Sequence, residues 1–128
     1  MKATASAKTD FLASILKSGE QYAGIVLGKN GAPDYHLILI GGEAIKVNFR
    51  EAQDFAKQSG GELPTRREQA LLYSNLKEEF TANWYWSGEL FASGSDYAWY
   101  QTFSNGSQGH DRIRYELRAR AIRRVIIE

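Results

Sequence analysis

The chain has 128 residues, 43% of them hydrophobic, with no cysteine and a formal net charge of +1. This size suits one domain with one core, and the missing thiols exclude disulfides, cysteine zinc sites and thiol chemistry, in keeping with a reducing cytosol. Near-neutral charge excludes bulk attraction to nucleic acid or an anionic membrane, and no apolar run approaches the roughly 20 residues of a membrane helix.

Residues 1–10, MKATASAKTD, lack a following apolar segment with a cleavage site and read as a flexible arm ahead of a domain spanning 11–128. Phe11, Leu12, Ile15 and Leu16 have helical spacing, with Thr9 and Asp10 as candidate N-caps and Gly19 as a stop. Tyr22–Leu27 and Tyr35–Ile40 are rich in β-branched and aromatic residues, and the Asn30-Gly31 pair between them predicts a β-hairpin. A short strand over Ala44–Val47 follows the Gly41-Gly42 reversal.

Asn48 and Glu51 have capping-box spacing and open a helix ending near Ser59, before Gly60-Gly61. Thr65 and Glu68 repeat the box and open a second helix with Ala70, Leu71, Leu72, Tyr73 and Leu76 on its apolar side. Strands are predicted over Trp84–Ser87, Tyr97–Phe103 and Tyr115–Ile127. The fold class read from these elements is α+β, with two main helices, several strands, and an N-terminal helix and hairpin.

Aromatic residues concentrate at Trp84, Tyr85, Trp86, Tyr97, Trp99, Tyr100 and Phe103. Strand alternation puts Trp84 with Trp86, and Tyr97 with Trp99 and Phe103, on core faces, leaving Tyr85 and Tyr100 as candidate surface contacts. Arg112, Arg114, Arg118, Arg120 and Arg124 share a parity with Glu116, the pattern of a half-buried strand with a polar outer face. Such a row can grip phosphates or an acidic protein, but pairing with Glu78, Glu79, Glu89, Asp96 or Glu116 is the favoured reading.

Two polar segments read as exposed loops suited to recognition. One runs from Ser87 through Glu89 to Ser95; the other, Ser104 to Asp111, contains Asn105, Gln108 and His110, with Gln101 just before it. Catalysis has little support. His36 and His110 lack metal-ligand spacing, no nucleophile elbow is present, and adjacency of His110 to Asp111 near Ser104 or Ser107 does not establish a reactive geometry. No cofactor is expected.

Four motifs occur in order: Leu63-Pro64-Thr65-Arg66, Tyr85-Trp86-Ser87, Ala98-Trp99-Tyr100-Gln101-Thr102-Phe103-Ser104-Asn105-Gly106, and Arg118-Ala119-Arg120-Ala121-Ile122-Arg123-Arg124. Together, over about 47–125, they resemble the DUF1566 family, also called the Lcl C-terminal type. The resemblance implies a C-type-lectin-like scaffold, in which two main helices pack on a twisted antiparallel sheet, of a kind many phages and prophages encode. The chain lacks the Glu-Pro-Asn and Trp-Asn-Asp triplets of calcium-dependent lectins and the paired cysteines of formylglycine-generating enzymes.

The resulting expectation is a non-enzymatic phage or prophage recognition protein that binds a protein partner or glycan in the host cytoplasm, or associates with the virion. One alternative is a phage-encoded inhibitor of a bacterial defence or regulatory complex. A more distant one is nucleic-acid binding through the terminal arginines. The Val125–Ile127 edge could pair with a second copy to form a homodimer.

Overall fold

The computed structural model describes the backbone of residues 2–128 and the side chains of residues 7–128. The chain runs α1 (Lys2–Ile15), β1 (Gln21–Val26), β2 (Tyr35–Leu39), β3 (Ala44–Val47), α2 (Phe49–Gln58) and α3 (Arg66–Leu76). A 3₁₀ turn (Lys77–Glu79) follows, then β4 (Trp84–Leu90), β5 (Tyr97–Thr102), β6 (Gln108–Arg112), β7 (Leu117–Ala119) and β8 (Ile122–Ile126). The α+β class is as predicted, but the strands form two sheets, ordered β1-β2-β8 and β3-β7-β4-β5-β6. The larger sheet is mixed, because β4 and β7 pair in parallel at Tyr85 and Arg118.

Helix α1 takes in most of the expected arm, so Thr9 and Asp10 lie inside it rather than at its N-terminus; residue 1 of that arm lies outside the described residues. The chain turns out of the helix at Gly19, whose φ of 79° suits a residue without a Cβ. Asn30 and Gly31 take φ of 55° and 84° in the β1–β2 connection, as their identity predicts. Both capping boxes form: Asn48 with Glu51, and Thr65 with Glu68.

Two cores result. One gathers Val26, Leu37 and Leu39 of the small sheet, Leu72 and Leu76 of α3, and Tyr85, Phe103 and Ile122. The other gathers Phe49, Ala52 and Ala56 of α2 with Leu63, Trp86, Ala98, Ala119 and Ala121. Strand β4 is therefore covered on both faces, α3 lying over Tyr85 and α2 over Trp86.

This double cover overturns part of the alternation reading. Tyr85 is 1% exposed, and its hydroxyl donates to Glu43 Oε1 at 2.5 Å and accepts from the Thr81 amide at 3.0 Å. Burial, then the Glu43 carboxylate, pushes the Tyr85 phenol up from its ordinary value. Tyr85→Phe removes a hydrogen bond to a charged group and strands an amide, so urea unfolding should show a loss of about 1.5–3 kcal/mol.

The predicted terminal strand divides. Residues 117–119 join the large sheet and 122–126 the small one, with Arg120 and Ala121 buried at the crossing. Ile40 donates its amide to Ala121, and Ile122 bridges Glu62 in both directions. Period-two polarity does not reveal the break, because Arg120 keeps the parity of an outward residue while its guanidinium is buried. There it donates to the carbonyls of Glu79 and Ile40 and lies 5.2 Å from the Phe80 ring centroid.

Candidate functional site

The candidate surface lies on the large sheet around Trp84, the first residue of β4. Trp84 shares its face with Trp86 but lies beyond the cover of α2. Its ring stacks on Tyr100 with centroids 4.4 Å apart and planes 9° from parallel, and Trp84 remains 45% exposed. Beside it a depression of about 410 Å³ is lined by Ile45, Lys46, Asn83, Trp84, Glu116 and Arg118. Lys46 occupies the left-handed region at φ 56°, where the register between β3 and β7 shifts.

An exposed indole bordered by ammonium, guanidinium, amide and carboxylate groups combines a flat apolar platform with hydrogen-bonding groups of both kinds. Arg118 is fixed there by Glu43 at 2.7 Å. That contact is the first cause holding the Arg118 guanidinium above its ordinary pKa.

A second aromatic group occupies the opposite face of β5 and β6. His110 lies 4.0 Å from Phe91 and 5.4 Å from Trp99, ring centroid to ring centroid, and Tyr97 adds an edge contact at 5.7 Å. Arg66 covers Trp99 at 3.5 Å. Tyr97 and Trp99, predicted as core, are thus only partly buried, with Arg66 at the start of α3 lying over Trp99.

Several predicted contact residues are structural. Ser87 is buried and donates to the Trp99 carbonyl. Gln101 is buried, donates to the Gln69 carbonyl and accepts from Gln108. Gln108 also exchanges bonds with Arg66, whose amide donates to Glu89. The expected loops shorten accordingly: β4 runs through Glu89 to Leu90, and β6 begins at Gln108.

Asn105, His110, Arg112 and Arg114 are exposed, Tyr100 and Asp111 partly so. Burial first, and then the nearby Asp111 carboxylate, raises the Tyr100 phenol.

Within the row, Arg118 and Arg124 pair internally, though not with the carboxylates expected, while Arg112 and Arg114 are exposed. Arg118 binds Glu43, Arg123 binds Glu20, and Arg124 binds Glu62 and Glu68. Glu79 accepts from Arg120 through its backbone carbonyl rather than its carboxylate.

His36 Nδ1 lies 2.8 Å from the Tyr22 hydroxyl, against Phe11. The hydroxyls of Ser104 and Ser107 bond Thr102 and Asn105 respectively. Among the described residues, no group of three or more His, Cys, Asp or Glu side chains could hold a metal, and no helix is long and apolar enough to cross a membrane.

Comparison with known protein families returns no matching family, and no curated protein matches the chain. The geometry of the site therefore carries the functional argument. Sequence reasoning missed Ile45, Lys46, Asn83 and Glu116, which approach one another only through the β3–β7–β4 pairing. Trp84 carried one signal, its place at the first position of a strand, where a covering helix is least able to reach.

Proposed function

We propose that this chain is a non-enzymatic recognition module of the DUF1566, C-type-lectin-like kind, encoded by a phage or prophage and acting in the cytoplasm of its bacterial host. It binds a glycan or a protein partner on the Trp84–Tyr100 shelf and the depression beside it. The observation that carries this reading is the open indole: a large aromatic ring, stacked and held in place, that the fold's own helices leave uncovered. A rigid, preordered ring loses little side-chain entropy on binding and offers a broad apolar face. The terminal arginines support recognition by this shelf rather than by a basic strand, since Arg118, Arg120, Arg123 and Arg124 are engaged within the fold.

The test is a glycan array and affinity capture from host lysate, each run with the parent chain and Trp84→Ala. Loss of the indole should weaken whichever ligand is found by roughly tenfold, about 1.4 kcal/mol, without unfolding the protein. Undiminished binding by folded Trp84→Ala would remove the shelf from the function.

A further inference from the structure

We propose that the outer edge of β8 is a self-association surface, on which two copies pair β8 to β8 in antiparallel fashion about Ile126. Strand β8 is an edge of the three-stranded sheet, with β2 on its other side. Ile122 directs its amide and carbonyl outward to Glu62, whereas the Ile127 amide turns inward to Asp34. By alternation, the amides and carbonyls of Arg124 and Ile126 point outward. Among the described residues, neither residue's backbone has a partner on that side.

Ile126 is 59% exposed, in a groove of about 620 Å³ shared with Ala32, Pro33 and Tyr35.

Features at the other edges oppose such pairing. Strand β1 is bulged between Tyr22 and Gly24, and Asn75 and Arg67 of α3 occupy the carbonyls of Ala23 and Leu27. The register of β3 is broken at Lys46, and β6 carries His110, Asp111 and Arg112 in succession. Bulges and charges are the usual protection of an edge; β8 instead offers an apolar side chain and open backbone.

The occupant follows from register. Centring on Arg124 would drive the partner's Ile126 into the position of Glu62, which already pairs with Ile122. Centring on Ile126 clears Glu62 and sets Ile126 against its own copy. Arg123 and Arg124 do not oppose the approach, because Glu20, Glu62 and Glu68 already hold them. A second copy of this chain therefore satisfies the edge in hydrogen bonding and apolar contact.

Sedimentation velocity on the whole chain, from low to high micromolar concentration, tests this. The parent should show a concentration-dependent dimer. Ile126→Lys, which opposes two ammonium groups at the axis, should weaken it at least about tenfold, while Ile25→Lys, on an exposed site of β1, should leave it intact. Because the chain has no cysteine, Ile126→Cys adds an independent readout. Residues facing each other in a hydrogen-bonded antiparallel pair lie about 5.5 Å apart at Cα, within disulfide range. With a mild oxidant, Ile126→Cys should cross-link well ahead of Ile25→Cys. A parent that stays monomeric throughout, or equal cross-linking of the two cysteine variants, would overturn the proposal.

Discussion

Glu68→Ala is expected to lower the free energy of unfolding by about 3–5 kcal/mol, the usual cost of removing one partner from a buried ion pair. The carboxylate is fully buried and every oxygen is used. Oε1 accepts from the Thr65 amide and Arg124 Nη2, and Oε2 from the Tyr35 hydroxyl at 2.6 Å and Arg124 Nε at 2.7 Å. One side chain thus caps α3, ties it to β2 and anchors β8. Alanine would leave Nε and Nη2 of Arg124, the Tyr35 hydroxyl and a helix-terminal amide without their acceptor, and Arg124 with Glu62 alone.

The network also predicts a pH dependence. Burial pushes the Glu68 carboxyl up, but hydrogen bonds from Arg124, Tyr35 and Thr65 outweigh it and hold the pKa below the ordinary carboxylate value. Burial and the Glu68 acceptor raise the Tyr35 phenol to about 12. A depressed carboxylate contributes stability that is complete above its unfolded pKa, near about 4.3, and is lost as pH falls through the folded value. The parent should therefore lose stability on acidification more steeply than Glu68→Gln. Urea midpoints measured from neutral pH down into the acid limb provide the check.

Trp86→Ala should cost about 3–5 kcal/mol, as expected for emptying a large aromatic site in a core. Trp86 is fully buried, meets Phe49 edge-on at 5.6 Å and donates its indole N–H to the Val47 carbonyl at 3.0 Å. Truncation removes the Phe49–Trp86 contact between α2 and the sheet and leaves that carbonyl without its indole donor. Trp84→Ala, two residues earlier on the same face, should cost only about 1 kcal/mol, since it loses a stacked contact without opening a core cavity. Chemical denaturation of both variants measures the difference. Equal losses would mean that the Trp84 shelf is part of the core.

The contrast between these tryptophans shows how far the sequence could be read. Hydrophobic period and capping chemistry are local, so α2, α3, both capping boxes and the β1–β2 hairpin were legible from neighbouring residues. Cover is not local. Nothing near Tyr85 announces that α3 will lie over it, and nothing near Trp84 announces that α2 will end short of it. The same limit hid the division of the terminal strand at Arg120, where a buried arginine keeps the rhythm of an exposed one. Arg120→Glu would put a carboxylate against two backbone carbonyls and is thus a folding mutation rather than a surface probe. The depression was illegible for another reason. Its residues come from β3, β4, β7 and the turns beside them, and only the strand order makes them neighbours.

Placement of the ligand can be measured through the chain's three indoles, which give three N–H signals in a nitrogen–proton correlation spectrum. On titration with a ligand found by array or capture, the Trp84 signal should shift first and furthest, while that of Trp86, locked to Val47, stays fixed. Movement of the Trp99 signal with Trp84 unchanged would contradict the account and transfer recognition to the Phe91–His110 face.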